Sequence, residues 1–316
     1  MDKNVVDMPE ISIIMPVYNA EKTVERMLDS IISQTFRDWE LIAVDDGSSD
    51  NSSRILDSYA IKDSRIHVIH KSNAGVAAAR QDGIDRATGA YTIHADSDDW
   101  TEPRMLEEML SVAKTEKADI VIADFYTDIE GHSSKVTVQR PESLDTSDIL
   151  YGLYVKDLFG GLWHKLIKKS AYAKANAQFH KDVNYCEDLL LLTQLLTNSQ
   201  PKVAYIPKAY YHYIVNSSSL TQCVSAEGLA SMRRFHSIAL TYLPDNGRFS
   251  DIRDSFSVDE FTVMFMNRLY PDTISLKEEA LKLRDSLRQR YGLRWKIGLW
   301  CINNGLISMA HKLIKF

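Results

Sequence analysis

The stretch AYTIHADSDDW, residues 90–100, joins a short apolar run to a cluster of carboxylates. Its first part predicts a buried strand, because aromatic and β-branched residues favour extended structure. Asp96, Asp98 and Asp99 then place three carboxylates within four positions. Close carboxylates raise one another's pKa unless a cation or strong hydrogen-bond donors stabilise them. The stretch therefore predicts a strand that ends in a cation-binding turn.

The first 125 residues repeat a pattern of an apolar run followed by helical periodicity. The runs predict strands, and apolar residues that recur at helical spacing predict helices between them. Alternation of this kind predicts an α/β fold with a mainly parallel sheet and helices on both faces. Such sheets bind ligands beyond the carboxyl ends of their strands. The predicted strands are 11–18, 39–47, 65–71, 90–96 and 118–125.

Polar clusters follow three of these strands. PVYN (16–19) ends the first, DDGSSD (45–50) ends the second and DSDD (96–99) ends the fourth. Each cluster alone is also typical of a turn or a helix cap. Because parallel strands end at one edge of the sheet, the three clusters are expected to converge on one ligand.

The chemistry of the carboxylates indicates which cation they would bind. Carboxylates without a neighbouring His or Cys favour Mg²⁺ or Mn²⁺. These ions are usually held by one or two carboxylates together with substrate phosphate oxygens. Asp96 and Asp98 therefore suit a nucleotide diphosphate, whose departing charge the cation would neutralise.

Other motif classes fit the sequence less well. The patterns GxGxxG, GxxxxGK and HExxH do not occur in it. The segment 96–100 superficially resembles the DxDGT of dehalogenase-type phosphatases, in which Asp96 would be the nucleophile. That motif requires Gly and Thr where Asp99 and Trp100 stand. A metal-dependent phosphatase is therefore the weaker alternative.

Composition is that of an ordinary globular protein, with 316 residues, 45% apolar and 25% charged. The length predicts one large or two modest domains. Three widely spaced cysteines without a CxxC pair favour a reducing compartment. We expect neither a signal peptide nor a membrane-spanning helix, because the N-terminus is polar and no run of 18 apolar residues occurs. The expected localisation is cytoplasmic.

The C-terminal region carries an unusual charge. Residues 281–316 hold eight Lys or Arg and one acid, Asp285. Segment 293–316 combines these cations with Trp295, Trp300 and several aliphatic residues. One interpretation is a basic amphipathic helix that contacts the membrane surface, and the other is a C-terminal helix packed on the catalytic domain. The charge favours a specific anionic partner and does not indicate a nucleic-acid binder.

Six motifs together resemble those of one known family. They have the order and spacing found in glycosyltransferase family 2, and the resemblance covers about residues 10–222. It implies a GT-A fold and an inverting, metal-dependent transferase that uses a nucleotide-sugar donor, as in bacterial cell-surface polysaccharide synthesis. The motifs are PVYN, DDGSSD, Asn73-Ala74-Gly75, Ala79-Arg80, ADSDD and Glu187-Asp188.

The resemblance, together with the helical pattern from about residue 225 onward, gives a domain plan. Residues 1–125 would form the nucleotide-sugar-binding half, and 126–222 the acceptor-side half of the same GT-A domain. Residues 223–316 would form a helical C-terminal region that ends in the basic tail.

The first two motifs imply a site for the base of the donor. Pro16 and Tyr18 would flank the base. Asp45 would accept a hydrogen bond from it, uracil being the commonest case, and Asp46 would support this loop.

The next motifs imply contacts to the rest of the donor. Asn73 and Arg80 would line the nucleotide pocket. Asp96 would reach the ribose or the sugar, and Asp98 would bind Mn²⁺ or Mg²⁺.

The resemblance assigns the general base to Asp188. An inverting transfer requires a group that takes the proton of the attacking acceptor hydroxyl, and a carboxylate can do so. Glu187 and Asp188 could also be acidic residues that complement the dipole of a helix start.

The acceptor side is the least specific part of the resemblance. Trp163 and Lys165 belong to a segment like the family's WNKL, for which the start of an amphipathic helix is the alternative. The segment from Tyr213 to Thr221 resembles a Tyr-Arg…Ser-x-Thr loop of the family, but Ile214 stands where the family has Arg. His94 also differs from the family pattern, which usually has an apolar residue at this position. The acceptor-side candidates are Trp163, Lys165, Glu187, His212 and Ser219.

The hypothesis that follows is a metal-dependent inverting glycosyltransferase. It would transfer a sugar, from UDP in the commonest case, to a glycan or lipid-linked glycan. The alternative that Ile214 favours is a non-catalytic protein that binds a nucleotide sugar.

Overall fold

The computed structural model describes residues 8–129, 134–155, 158–215, 225–244 and 247–314. They belong to two compact units that divide between residues 216 and 217. Ser219, one of the acceptor-side candidates, lies outside the described residues.

The first unit is built around a single mixed sheet. Its first four strands run parallel in the order β3-β2-β1-β4, and the order continues β8-β6-β9-β5, with β7 paired to β6. Strand β8 is antiparallel to both of its neighbours. The strands are β1 (Ile11–Val17), β2 (Trp39–Asp45), β3 (Ile66–His70), β4 (Tyr91–His94), β5 (Trp100–Thr101), β6 (Ile120–Ile129), β7 (Lys135–Thr137), β8 (Lys165–Lys168) and β9 (Val203–Val215).

Seven helices connect the described strands of this unit. Helix α1 buries Val24, Met27, Leu28 and Ile31, which recur at helical spacing and belong to the main core of the unit. The predicted α/β fold is confirmed, with a sheet that is mixed in its second half. The helices are α1 (Val24–Ile32), α2 (Ser52–Lys62), α3 (Val76–Arg86), α4 (Met105–Glu116), α5 (Thr146–Val155), α6 (Lys169–Ala175) and α7 (Glu187–Asn198).

Of the two interpretations of the segment at Trp163, the start of an amphipathic helix is wrong. The segment at Trp163 is no helix start, since β8 begins at Lys165. The four residues of β8, KLIK, are too few to distinguish a strand from a helix by pattern, and pairing with β4 and β6 decides it here.

The second unit is helical, as the sequence predicted for the C-terminal region. Its core includes Phe261, Phe265 and Trp295, so Trp295 is part of the packing of this unit. No helix within the described ranges is both long and apolar enough to span a membrane. The helices are α8 (Ala226–Tyr242), α9 (Ser250–Met266), α10 (Thr273–Lys282), α11 (Arg284–Tyr291), α12 (Leu293–Asn303) and α13 (Ile307–Ile314).

Candidate active site

The ends of β1 and β2 are tied to each other by short hydrogen bonds. The Asp46 N–H donates to the Val17 carbonyl at 2.9 Å, and Ser49 N–H donates to Asn19 Oδ1 at 2.8 Å. Pro16 is half-buried, while Tyr18 is 54% exposed. The first two polar clusters thus form one rim, as the parallel pairing of their strands predicted.

Asp45 is a buried carboxylate that is already well supplied with donors. It accepts from Ser48 N–H at 3.0 Å, Ser53 Oγ at 2.5 Å and His70 Nδ1 at 2.9 Å. Burial acts to raise the pKa of Asp45, but these hydrogen bonds lower it below the usual value. A carboxylate has about four acceptor positions, so Asp45 keeps about one for a ligand.

Asp46 holds the loop that leads into α3. Its two oxygens accept from Ala74 N–H at 2.9 Å and Gly75 N–H at 2.8 Å. Gly47 has φ +75°, and a Cβ there would lie 2.8 Å from the Asn73 nitrogen. The loop therefore approaches the rim closely and leaves Asn73 exposed beside it.

The three carboxylates of the acidic turn have different surroundings. Asp96 accepts from Arg80 Nη2 at 3.0 Å. Asp99 is buried and accepts from Ile214 N–H at 2.8 Å, which ties the turn to β9. Burial, followed by Asp96 and Asp98, raises the pKa of Asp99 well above its usual value. Asp98 is half-buried and belongs to the same turn.

Arg80 is the centre of the candidate site. Its side chain is 5% exposed, and its guanidinium contacts carboxylates from two other segments of the chain. Nη2 lies 3.0 Å from Asp96, and Nε lies 3.5 Å from Glu187 and 3.3 Å from Asp188. Burial acts to lower the pKa of Arg80, but the three carboxylates raise it. One buried cation therefore joins the acidic turn to the start of α7.

Glu187 and Asp188 are held in the first turn of α7. Burial, together with the neighbouring Asp188 charge, raises the pKa of Glu187 to about 7. Burial also raises the pKa of Asp188, although Arg80 acts in the opposite direction. Asp188 Oδ2 accepts from Leu162 N–H at 3.2 Å, which fixes its orientation. The pair can hold or release a proton near neutral pH.

His94 contacts the same guanidinium from β4. Its Nδ1 lies 3.4 Å from Arg80 Nη1, and its ring meets Phe179 edge-on with centroids 5.9 Å apart. Burial, and then the Arg80 charge, lowers the pKa of His94 well below its usual value. A neutral imidazole whose Nδ1 accepts from Arg80 explains how a histidine occupies this apolar position.

Lys165 acts on Asp188 indirectly, through the loop that precedes β8. Its Nζ donates to the carbonyls of Phe159 and Gly161, both at 2.7 Å. These bonds shape the loop whose Leu162 N–H binds Asp188. Burial lowers the pKa of Lys165 well below its usual value.

Two other acceptor-side candidates lie in aromatic packing. Trp163 is buried and stacks on Tyr211 with centroids 4.3 Å apart. His212 is stacked between Trp100 and Tyr126, at 3.5 and 4.3 Å. Its ring nitrogens lie 3.0 Å from Asp128 and 3.2 Å from Glu102, so His212 is held both by stacking and by two carboxylates.

A polar face of α1 holds the acidic turn, and the sequence interpretation missed it. Arg26 donates to the backbone carbonyls of Asp98 and Asp99. One turn further on, Ser30 Oγ accepts from Thr101 N–H in β5, and just past the end of the helix Gln34 donates to the Glu102 carbonyl. The spacing of four residues between Arg26, Ser30 and Gln34 is the sign in the sequence that indicates this polar face.

The acidic turn would supply only part of the ligands of a divalent cation. Within the described part of the chain, no cluster of three or more His, Cys, Asp or Glu is arranged to hold a metal ion. Asp96 is bonded to Arg80, and Asp99 accepts from the backbone of β9. Asp98, which the resemblance gives as the metal ligand, lies half-buried in the same turn. Mg²⁺ and Mn²⁺ are commonly bound by one or two carboxylates plus phosphate oxygens. A single carboxylate of the turn together with a diphosphate would match this coordination.

Comparison with known proteins gives a consistent result. The model of the family described as "Glycosyl transferase family 2" matches residues 12–175. The uncharacterized glycosyltransferase EpsJ of Bacillus subtilis is 31% identical over 223 residues, which are 68% of this chain and 64% of EpsJ. The match thus spans less than two thirds of EpsJ. The putative glycosyltransferase EpsH of the same organism is 29% identical over 83% of this chain and 78% of EpsH.

Solved structures share the fold at low sequence identity. The crystal structure of S. aureus TarS 1-349 in complex with UDP-GlcNAc has a TM-score of 0.66 and 18% identity, and covers 96% of this chain and 90% of TarS 1-349. The mannosyltransferase PcManGT from Pyrobaculum calidifontis, in complex with GDP-Man and Mn²⁺, has a TM-score of 0.54 and 16% identity, and covers 97% of this chain and 85% of PcManGT.

Proposed function

The chain belongs to glycosyltransferase family 2, and on that premise we propose that it is an inverting glycosyltransferase with a nucleotide-diphosphate sugar as donor. The observation that carries the proposal is the meeting of Asp96, Glu187 and Asp188 at the buried Arg80 guanidinium. The proposed donor-side carboxylate, Asp96, and the proposed proton acceptor, Asp188, share this one cation. UDP is the proposed nucleotide, in line with the UDP-GlcNAc complex of TarS.

The donor would bind along the rim formed by the ends of β1 and β2. The base would lie between Pro16 and Tyr18, with Asp45 as an acceptor. Asp46 fixes the loop that presents Asn73 to the nucleotide. Asp96 would contact the ribose or the sugar. Asp98 would hold Mn²⁺ or Mg²⁺, which neutralises charge on the departing diphosphate when bound.

Asp188 is the proposed general base. The acceptor hydroxyl attacks the anomeric carbon while its proton passes to the Asp188 carboxylate, and the bond to the diphosphate oxygen breaks on the opposite side. Leu162 N–H and Arg80 orient this carboxylate. The Asp188 charge raises the pKa of Glu187, and since interacting carboxylates titrate together, the two residues act as a pair.

The proposed acceptor is a glycan or a lipid-linked glycan of cell-surface polysaccharide synthesis. A lipid-linked acceptor would place the reaction at the inner face of the membrane. Lys165 and Trp163 would act here by shaping the loop that carries Leu162, and they would make no direct contact with the acceptor.

The test of the proposed function is a two-stage assay. Candidate nucleotide sugars with Mn²⁺ are first screened by thermal shift, because a ligand that binds the native state raises its apparent stability. The best donor is then incubated with glycan acceptors, and we expect a product of inverted anomeric configuration by NMR. A retained configuration would contradict the inverting mechanism, and donor binding without turnover on any acceptor would favour a non-catalytic binding protein.

We expect Asp98→Asn to weaken Mn²⁺ binding in the presence of UDP by at least about 10-fold, the loss that even indirect changes around a metal site produce. Free Mn²⁺, measured by electron paramagnetic resonance, reports this without a reaction. The matched control is Asp85→Asn, on the exposed surface of α3. Equal Mn²⁺ affinity in Asp98→Asn and the wild type would exclude Asp98 as the ligand.

We also expect kcat to fall as pH is lowered, and to do so at a higher pH than for an ordinary aspartate, because burial raises the pKa of the proposed base Asp188. A protonated Asp188 cannot take the acceptor's proton, and Glu187, whose pKa is raised to about 7, titrates beside it. The titratable and charged groups that face the pair are Arg80, Asp96 and Lys165. The measurement is kcat at saturating donor between about pH 5 and 9, and a flat profile would contradict the assignment.

A further inference from the structure

Helix α12 has apolar residues on two opposite faces. One face includes Trp295, Leu299 and Ile302, which are buried in the core of the second unit. The opposite face carries Leu293, Ile297 and Trp300, which are 70%, 45% and 59% exposed. Burial of the first face explains why the helix packs on this unit. It does not explain why the opposite, exposed face is also apolar.

The exposed residues form a continuous stripe. Positions 293, 297 and 300 are separated by four and then three residues, so their side chains lie on one side of the helix. Arg294 and Lys296 are exposed, and at about 100° per residue they lie on opposite flanks of this stripe. We name the surface of these five residues the α12 outer face.

The composition of the α12 outer face argues for one kind of partner. Large exposed apolar patches mark sites of interaction, and an exposed tryptophan beside Lys and Arg suits the boundary between lipid headgroups and acyl chains. Residues 281–316 carry eight Lys or Arg against one acid, which complements an anionic surface. A second copy of the same face would bring like charges together, and a nucleic acid would leave the apolar stripe without a use.

We propose that the α12 outer face docks on an anionic lipid bilayer. The apolar stripe would enter the headgroup boundary, and the flanking cations would bind anionic headgroups. This deepens the proposed placement of the reaction at the membrane, and it rests on the proposed function only for the identity of the acceptor. Docking of this kind needs no transmembrane helix.

The test uses the full chain and sedimentation with vesicles of phosphatidylcholine, with or without about one third phosphatidylglycerol. We expect binding to the anionic vesicles that weakens as salt rises. The double variant Ile297→Ser/Trp300→Ser should bind them at least about 10-fold more weakly. The matched control is Ile274→Ser, a change at a 70% exposed isoleucine of α10 in the same unit, which should bind like the wild type.

Three outcomes would overturn the proposal. They are equal vesicle binding by the double variant and the wild type, binding to neutral vesicles that salt does not change, and a wild-type dimer that the double variant dissociates. Thermal unfolding of each variant checks that it is folded. UDP binding by the same variants separates this proposal from the catalytic one, since loss of vesicle binding with intact UDP binding concerns the α12 outer face alone.

Discussion

Replacing Asp188 by asparagine is expected to lower kcat by about 10²–10⁴-fold, the usual contribution of a general base. The amide of Asp188→Asn keeps the size of the carboxylate and can still accept from Leu162 N–H, but it cannot take a proton. Arg80 retains Asp96 and Glu187 as partners, so the fold should persist. Initial rates of transfer at saturating donor measure the effect, and a titration with UDP should show nearly unchanged affinity.

The matched control for this change is Glu187→Gln. It removes a charge from the same turn of α7 and from the same guanidinium. If Asp188 is the base, Glu187→Gln should lower kcat less and shift the pH profile, because the Glu187 carboxylate then no longer shares the charge of the cluster. Transfer at the wild-type rate by Asp188→Asn, with a large loss in Glu187→Gln, would assign the base to Glu187 instead.

Parts of the site could be predicted because they follow from the order of strands. PVYN, DDGSSD and the acidic turn end parallel strands, so their meeting at one edge of the sheet is a consequence of topology. Residue types alone also predicted the helical start at Glu187, where acids complement the dipole. These predictions need only local patterns and the rule that parallel strands end together.

Other parts depended on contacts between distant segments. The contact of Arg80 on α3 with Glu187 and Asp188 on α7 was not predicted, since no local pattern links the two helices and the resemblance gave Arg80 only as part of the nucleotide pocket. Asp99 was left without a role in the sequence, and its bond to Ile214 N–H gives it one. The histidine at position 94 could not be explained from the sequence either, because its partner, Arg80, lies on another element.

Replacing Arg80 by methionine is expected to destabilise the first unit by about 3–5 kcal/mol, as when one partner of a buried ion pair is removed. The variant would leave the carboxylates of Asp96, Glu187 and Asp188 in a buried site without their cation. The pKa values of Glu187 and Asp188, which burial already raises, would rise further because Arg80 no longer lowers them. The folded chain would then bind more protons than the unfolded one. The destabilisation should therefore grow as pH increases and shrink in acid.

Thermal unfolding of the full chain at several pH values measures this effect. Arg80→Met should unfold on the order of 10 °C below the wild type at pH 8. Arg80→Lys should be intermediate, because lysine keeps the charge but not the planar fork that reaches Asp96 and Asp188 together. Arg86→Met, on the exposed side of the same helix, is the matched control and should change stability by about 0.5 kcal/mol or less. If Arg80→Met were as stable as the control at pH 8, the guanidinium would not be what holds the three carboxylates together.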